Sequence, residues 1–256
     1  SFCLQAGSIL NLYLVSSCIA RVGEMNVGIQ PHACTTSNTM SLGQTVIKRE
    51  TTVAQLKSVI FDFDSTLSDP QYLDRLGKWA IADKLDICLA MTQSEIIANF
   101  GGAQRIAQLD TMLKSLEDRQ VHLMILSLGR TECMIAQLKA VRLLHYFRTE
   151  DIFGRDSNEL RKHNSGRVLC KAALIQALRH NYNWLSHEVL FVDDSLTHID
   201  AVRLGVMRTK NGKVIDVVPS DEAPICRTLL VADDDKTGMT QEEMLYVCAM
   251  LEPLSS

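Results

Sequence analysis

One segment sets the frame for the rest of the chain: Ser58-Val59-Ile60-Phe61-Asp62-Phe63-Asp64-Ser65-Thr66-Leu67. Its apolar residues favour a strand that is covered on both faces, as the strands of a parallel sheet are. Asp62 and Asp64 come where that strand stops, and ligands of open α/β sheets bind beyond the carboxyl ends of the strands. The two acids could hold a hard cation, attack an electrophile or move a proton. They could equally end a strand and face water, because a pair of acids at this spacing is short and common.

Composition narrows the class of protein. The chain has 256 residues, of which 46% are hydrophobic and 22% charged, as in an ordinary soluble globular protein of one domain with or without a small insert. A net charge of −4, with no run of basic residues, argues against a nucleic-acid partner. The eight cysteines form no Cys-x-x-Cys pair. They predict reduced thiols in an intracellular (cytoplasmic) protein, with neither a disulfide framework nor a zinc site.

The first fifty residues differ from the rest of the chain. Charged residues are scarce there, and residues 29–46 are rich in Gly, Ser, Thr and Asn, which predicts a disordered arm over residues 1–50 and a core over 51–256. The apolar run Ile9 to Ala20 is too short to span a bilayer, so no membrane span is predicted, while a targeting segment stays open. Met25 or Met40 could be a native start. We expect the arm to carry neither fold nor chemistry.

Strand and helix patterns alternate along the core. Alternation of this kind predicts an α/β fold with a doubly wound, mostly parallel sheet of Rossmann-like type. About thirty residues between the first strand and its crossover helix, roughly 68–101, predict a small helical cap insert over the strand end. The further predicted strands are Val121–Leu126, Phe147–Phe153, Glu188–Val192 and Cys226–Val231. The predicted helices are Tyr72–Ala82, Thr92–Phe100, Ala103–Leu116, Thr131–Leu144, Ala172–Leu178, one through Ile199 and Leu204, and one opened by a capping box at Thr240.

Polar side chains recur where these elements begin or end. Ser127, with Leu128 and Gly129, follows the second strand, Lys171 opens a helix, and Asp193-Asp194 end the fourth strand. Each has a plainer interpretation. Ser127 could cap the following helix. If the acidic pair binds a metal, either Asp193 or Asp194 could be the ligand. Lys171 could be a solvated lysine, and it has rivals in Lys162 and Arg167.

Taken in order, these positions resemble the four motifs of the haloacid dehalogenase-like (HAD) superfamily, chiefly its phosphatases, over about Lys57 to Val231. The first motif, Asp-x-Asp-x-Thr, is present as Asp62-Phe63-Asp64-Ser65-Thr66. The second, a strand that ends in Ser or Thr, is present as Ile125-Leu126-Ser127, and the third, a lysine, as Lys171. The fourth, an acidic pair at a strand end, is present as Asp193-Asp194. Each motif is weak alone, but their common order is specific.

The resemblance implies a phosphatase that hydrolyses a phosphate monoester through an aspartyl-phosphate, with Mg²⁺ as cofactor. It implies that Asp62 is the nucleophile, that Asp64 is the general acid and base, and that Lys171 neutralises both the nucleophile and the phosphate. The implied Mg²⁺ ligands are Asp62, Asp194 and the main-chain carbonyl of Asp64. The implied phosphate-binding residues are Ser127, Leu128, Gly129 and Lys171, supported from behind by Asp193 and Thr66.

Two sequence features qualify this interpretation. Many members carry a further acid four residues after the metal-binding Asp, where this chain has His198, and Asp200 lies two residues further on. Histidine is a poor magnesium ligand, so the site rests on fewer carboxylates. Asp235-Lys236-Thr237-Gly238 matches the phosphorylation loop of P-type ion pumps, but no membrane span is predicted here, and we interpret it as a surface turn.

Three functions are compatible with the motifs. The first is a phosphatase acting on a phosphorylated small molecule or a phosphoprotein. The second is a phosphotransferase or mutase that passes the phosphoryl group to another acceptor, and the third is a binding module whose catalytic site has decayed. The sequence predicts neither the substrate nor the oligomeric state. Dehalogenase chemistry is disfavoured because it has no use for the second acid, Asp64.

Overall fold

A computed structural model of the chain describes residues 55–69, 81–163, 170–208, 213–217, 223–232 and 238–251. The predicted arm over residues 1–50 lies outside these ranges, as does most of the predicted helix Tyr72–Ala82. Within the described ranges, no helix is both long enough and apolar enough to cross a bilayer.

The core is a five-stranded parallel sheet with the strand order β3-β2-β1-β4-β7, and β5 and β6 form a separate antiparallel pair. The parallel order, with β1 at its centre, confirms the predicted doubly wound α/β fold. The antiparallel pair was not predicted, because its first strand has only three residues. The strands are β1 (Ser58–Phe61), β2 (His122–Leu126), β3 (Ile152–Phe153), β4 (Val189–Asp193), β5 (Val206–Arg208), β6 (Val214–Val217) and β7 (Arg227–Leu230).

The helices of the described ranges are α1 (Ile81–Leu89), α2 (Gln93–Asn99), α3 (Ala103–Asp118), α4 (Thr131–Ala140), α5 (Asn158–His163), α6 (Lys171–Asn181), α7 (Leu196–Leu204) and α8 (Gln241–Ala249). Six of these eight helices were predicted, with shifted ends; α5 was not predicted, and α1 overlaps the predicted helix Tyr72–Ala82 only at residues 81–82. The predicted capping box at Thr240 is confirmed, and a second one at Thr92 opens α2. Helices α1 and α2 lie in the predicted insert and contact α4.

Successive residues of β1 pack into two different hydrophobic cores. Val59 and Phe61 face one core, which also contains residues of α3, α4 and α8. Ile60 faces the other core, which contains residues of α6 and α7. Because helices cover both faces of the sheet, the ends of the strands are where side chains of the central strands can meet a ligand.

The segment Phe147–Phe153, predicted to hold a third, weaker strand, holds one of only two residues, Ile152–Phe153. Only β3 pairs with β2, and Thr149–Asp151 forms a 3₁₀ turn instead. The reason is an ion-pair cluster, in which the Asp151 carboxylate accepts a hydrogen bond from Arg148 (2.6 Å) and lies 2.7 Å from His122 Nε2. Burial alone would raise the pKa of Asp151, but the hydrogen bonds from His122 and Arg148 outweigh it and hold that pKa below its usual value.

The predicted helix Thr131–Leu144 ends early, at Ala140. The chain turns at Arg142, which has φ +62°, and the Leu143 amide donates to the Leu138 carbonyl (2.9 Å). This turn closes the helix and brings Leu143, which is buried, into the core beside the sheet.

Candidate active site

The site begins where β1 ends. The Asp62 amide still donates to the Val192 carbonyl (2.8 Å), so Asp62 is held in line with the neighbouring strand β4. The chain then reverses in a single wide turn, Phe63–Leu67, closed by a hydrogen bond from the Ser68 amide to the Phe63 carbonyl (2.8 Å). Ser65 adopts φ +60° within it, an uncommon value for a residue with a side chain. The turn keeps Asp64 at the same strand end as Asp62.

Lys171 reaches this strand end from the first position of α6. Its Nζ lies 2.8 Å from Asp62 Oδ1 and 2.7 Å from Asp193 Oδ2, and the residue is only 1% exposed. Among the described residues, Asp62 Oδ1 accepts no well-directed hydrogen bond despite this short distance, so the contact is an ion pair. Of the two rivals, Lys162 is exposed on α5 and Arg167 lies outside the described residues.

The two acids at the end of β4 have different surroundings. Asp193 is fully buried, and its carboxylate accepts hydrogen bonds from the Ser195 amide (2.7 Å) and Lys171. His198 Nδ1 completes its partners, at 3.2 and 3.3 Å from the two oxygens. Asp194 is partly exposed. Asp193 is therefore committed to protein partners, which leaves Asp194 as the acid of this pair that is open to a ligand.

Three carboxylates here converge closely enough to hold a cation. Oxygens of Asp62, Asp193 and Asp194 lie within 4.8 Å of one another. Burial raises the pKa of Asp62 above its usual value, although Lys171 acts in the opposite direction. Burial, reinforced by Asp62 and Asp193, also raises the pKa of Asp194 to about 7. One lysine does not balance two buried acids and the partly exposed Asp194, and a divalent cation with oxygen ligands would. The residues present therefore fit the predicted metal.

Asp193 shows the opposite balance. Burial again acts to raise its pKa, but Lys171 and His198 outweigh burial, and the pKa of Asp193 is lowered. His198, which stands where many members of the superfamily carry an acid, turns its imidazole toward Asp193. It is not part of the cluster of possible metal ligands among the described residues.

The loop after β2 faces Asp64 across the site. The buried Ser127 hydroxyl accepts a hydrogen bond from the Gly129 amide (3.2 Å) and so folds the loop back. The plainer interpretation, that Ser127 caps α4, is therefore wrong. A Cβ atom added at Gly129 would lie 3.0 Å from Asp64 Oδ2. Glycine therefore lets the loop approach the Asp64 carboxylate closely, and the two enclose the space beside Asp62.

The beginning of α4 is fixed by residues that the sequence did not single out. Asp156 accepts hydrogen bonds from the Thr131 amide (3.0 Å) and hydroxyl (2.9 Å), and the Thr131 hydroxyl accepts one from the Gly154 amide (3.0 Å). A Cβ atom at Gly154 would lie 2.5 Å from Thr131, so glycine is required there.

A second unpredicted residue is Arg105, a buried arginine of α3 that holds the turn carrying Asp64. A signal for it does exist in the sequence. Arg105 falls at helical spacing on the apolar face that includes Leu109, Met112 and Leu116, where a charged residue is out of place. Of the segment interpreted as a surface turn, residues 235–237 lie outside the described ranges, and Gly238 is buried, with φ +68°, against this arginine.

Comparisons with known proteins were made for the whole chain. No protein-family model and no curated protein matches it. Among solved structures, it is similar to a haloacid dehalogenase-like family hydrolase from Streptococcus pneumoniae, with 16% identity and a TM-score of 0.38 over 75% of this chain and 90% of that chain. A HAD-superfamily hydrolase from Ehrlichia chaffeensis matches with 17% identity and a TM-score of 0.39 over 77% and 98% of the two chains. A phosphoserine phosphohydrolase-like protein from Francisella tularensis matches with 17% identity and a TM-score of 0.33 over 57% and 82%.

Identities and TM-scores this low carry no argument about activity. The interpretation therefore depends on the chain's own geometry: β1 at the centre of the parallel sheet, acids at the ends of β1 and β4, and Lys171 buried between them. The predicted doubly wound α/β fold is confirmed by the order and direction of its strands.

Proposed function

We propose that the protein is a Mg²⁺-dependent phosphohydrolase that cleaves phosphate monoesters through an aspartyl-phosphate on Asp62. One observation carries the proposal: Lys171, almost fully buried, bridges Asp62 and Asp193 at the carboxyl edge of the sheet, beside Asp194. Burying three acids around one lysine is costly for stability, and such arrangements are concentrated at functional sites. Phosphate ester hydrolysis needs this combination, because a carboxylate must approach an anionic phosphate.

In the first half of the proposed reaction, a carboxylate oxygen of Asp62 attacks phosphorus and forms the acyl phosphate. The bond between phosphorus and the leaving oxygen breaks, and Asp64 gives its proton to that oxygen. Lys171 and the hydrogen-bond donors of the Ser127-Leu128-Gly129 loop hold the phosphoryl oxygens. The position of Asp64 beside Gly129 supports this role, since the acid then lies close to the loop that would hold the phosphoryl group.

In the second half, Asp64 takes a proton from water and the water oxygen attacks phosphorus. The bond from phosphorus to Asp62 breaks, which releases inorganic phosphate and regenerates the carboxylate. Asp193 supports the site by holding Lys171 (2.7 Å). Thr66 supports it from behind the turn, where its carbonyl accepts a hydrogen bond from the Met239 amide (2.9 Å).

Mg²⁺ would be held by Asp62, Asp194 and the main-chain carbonyl of Asp64. When bound, it supplies positive charge that offsets the repulsion between the carboxylates and the phosphate. The raised pKa values of Asp62 and Asp194 support this assignment, because burial and the neighbouring acids disfavour their charged forms and a bound cation would favour them.

The proposed substrate is a phosphorylated small molecule or a phosphoprotein. The insert before α3 is small, which supports an open site. A phosphotransferase or mutase would use the same residues with another acceptor in place of water, and a decayed binding module would keep the geometry without turnover. One further similar structure is that of a dehalogenase, but the second acid, Asp64, favours a reaction that has to protonate a leaving group.

The test is hydrolysis of 4-nitrophenyl phosphate with Mg²⁺ and with EDTA. We expect turnover only with Mg²⁺, and none in Asp62→Asn, which preserves side-chain volume but removes the nucleophile. Asp64→Asn should turn over slowly and retain label from a ³²P-labelled phosphodonor after acid quenching, and the double variant with Asp62→Asn should not. Asp118→Asn is the matched control, because this acid is exposed on α3. Turnover of Asp62→Asn near the wild-type rate would refute the proposal.

A further inference from the structure

The guanidinium of Arg105 joins three separate segments of the chain. Arg105 Nη2 donates to the Thr66 carbonyl (3.0 Å), and Nη1 donates to the carbonyls of Leu67 (2.7 Å) and Phe100 (3.2 Å). Nε donates to the Met239 carbonyl (3.3 Å). The first two carbonyls belong to the turn that carries Asp64, Phe100 follows α2, and Met239 precedes α8. One side chain therefore ties the turn to the end of the insert and to the last helix.

Two glycines make room for this arginine. A Cβ atom at Gly238 would lie 2.6 Å from Arg105 Nη2, and one at Gly101 would lie 2.8 Å from Arg105 Cδ. Both glycines have positive φ, +68° and +75°. Gly102 has the same kind of backbone, φ +92°, but a Cβ atom there would meet nothing within 4 Å. Gly238 and Gly101 therefore pack so closely against the Arg105 side chain that neither has room for a methyl group, whereas Gly102 has.

Burying the charged side chain of Arg105 costs folding free energy that an apolar side chain at this position would not cost. Arg105 is only 9% exposed, and burial lowers its pKa to about 10, with Asp69 and Glu243 acting in the opposite direction. The group still carries its charge near neutral pH. A leucine or methionine at this position of α3 would continue the apolar face at no cost of burying a charge. An arginine offers what they do not, a rigid planar fork that can hold several main-chain carbonyls at once.

We infer that Arg105 is a positioning residue for Asp64, a role that rests on the proposed function. Thr66 and Leu67 follow Asp64 by two and three residues, so fixing their carbonyls fixes the turn from behind. Asp64 Oδ2 in turn sits close to Gly129, in the loop proposed to bind the phosphate. A displacement of about 1 Å at a reacting group lowers a rate by about 100-fold.

This role has a kinetic signature that loss of folding would not produce. Proton donation by Asp64 matters most when the leaving oxygen is strongly basic, as in an alkyl phosphate, and least for 4-nitrophenyl phosphate. The kcat/KM value reports the steps up to the first bond cleavage. If Arg105 positions Asp64, its loss lowers kcat/KM far more for the alkyl ester than for the aryl ester.

The experiment compares Arg105→Lys with wild type on 4-nitrophenyl phosphate and on a simple alkyl phosphate. Lysine keeps the charge but lacks the planar fork, so we expect kcat/KM to fall by about 100-fold for the alkyl ester and by less than about 10-fold for the aryl ester. A methyl group in Gly238→Ala would lie 2.6 Å from the guanidinium and 2.8 and 2.9 Å from the carbonyls of Ser68 and Thr66, so this variant disturbs both the arginine and the turn and should give the same selective loss. Gly102→Ala should not. Arg179→Lys is the control for a buried arginine that donates to a distant carbonyl, that of Ile225 (2.9 Å).

Hydrogen exchange of residues 63–68 gives a second readout that needs no turnover. We expect faster exchange there in Arg105→Lys and unchanged exchange in Arg179→Lys. Equal losses on the two esters, or unchanged exchange of the turn in Arg105→Lys, would overturn the inference while leaving the proposed function intact. Absence of turnover in wild type would refute the proposed function and, with it, the catalytic part of this inference.

Discussion

The replacement Lys171→Met tests the charge balance of the site most directly. Methionine keeps the length and apolar stem of lysine but removes the ammonium from between Asp62 and Asp193. Both acids are buried, at 6% and 0% exposure, so neither can turn to water in place of the lost partner. The variant should therefore lose stability as well as turnover.

The size of the loss can be worked from the two contacts. At an effective dielectric constant of about 20, charges 2.7 Å apart attract each other by roughly 6 kcal/mol. Desolvation of the ammonium offsets much of the attraction from the two acids, and breaking a buried pair typically costs about 3–5 kcal/mol. For a domain of this size we expect a melting temperature lower by roughly 6–20 °C at pH 8.

The loss should depend on pH in a defined direction. Burial alone lowers the pKa of Lys171, but Asp62 and Asp193 outweigh it and raise that pKa, so its stabilising contribution is present below the unfolded value and constant between pH 5 and 8. In the variant, both acids lose their cation and bind protons at a higher pH than in wild type. The folded variant then gains stability on acidification, and the gap to wild type narrows from pH 8 to pH 5.

The assay is thermal unfolding followed by circular dichroism at pH 5, 6.5 and 8, without added metal. Lys114→Met is the control, because Lys114 pairs with Asp118 on the exposed face of α3, and this variant should melt near wild type. The double variant Lys171→Met/Asp62→Asn should recover part of the lost stability. A change below about 2 °C at pH 8, or a gap independent of pH, would refute the reasoning.

Three further predictions concern other contacts of the described residues. His198→Asp replaces the imidazole that contacts Asp193 with a further acid in a cluster that already holds Asp62 and Asp194, so it should lower the melting temperature and leave the Mg²⁺ concentration for half-maximal rate unchanged; a lower Mg²⁺ concentration for half-maximal rate at unchanged stability would contradict this. Gly129→Ala puts a methyl group 3.0 Å from Asp64 Oδ2 and should lower kcat by about tenfold while the melting temperature stays close to wild type. Asp151→Asn should lower the melting temperature at pH 7. The difference should begin to shrink as the pH falls through about 4, the usual pKa of an aspartate, and should vanish only below the lowered pKa of the folded carboxyl; a difference that is the same at pH 7 and at pH 2 would argue against a contribution from that charge.

The sequence predicted those parts of the site that follow from strand ends. Each of the three central strands, β1, β2 and β4, is an apolar run that stops at a polar residue, and the order of the strands brings Asp62, Ser127 and Asp193 to one edge of the sheet. Lys171 was predicted by its place before the fourth strand, and the structure puts it between two of these acids. Their chemical roles and the extent of the cap insert stay predictions.

The contacts of Arg105 and His198 were beyond sequence reasoning for a physical reason. The partners of Arg105 are main-chain carbonyls, which every residue has and which leave no pattern in the sequence. For His198, position alone suggested a place near the metal, but the direction of its ring is set by the fully buried Asp193. The short strand β3 was overestimated because the cluster around Asp151 ends the extended conformation.

The central position of β1 has a consequence for synthesis of the chain. Ser58 pairs with His122 of β2 on one side and with Val189 of β4 on the other. β1, which is synthesised before the other described strands, therefore has only one of its two neighbours until β4 has been made. A nascent chain that ends before Val189 has β1 paired along one edge only, and the other edge offers unsatisfied amides and carbonyls to any strand nearby. Lys171 and Asp62 would by then be translated, but Asp193 would not, so the lysine would lack one of its two acids. Prematurely terminated chains of this protein should therefore be both inactive and prone to aggregate until β4 is complete.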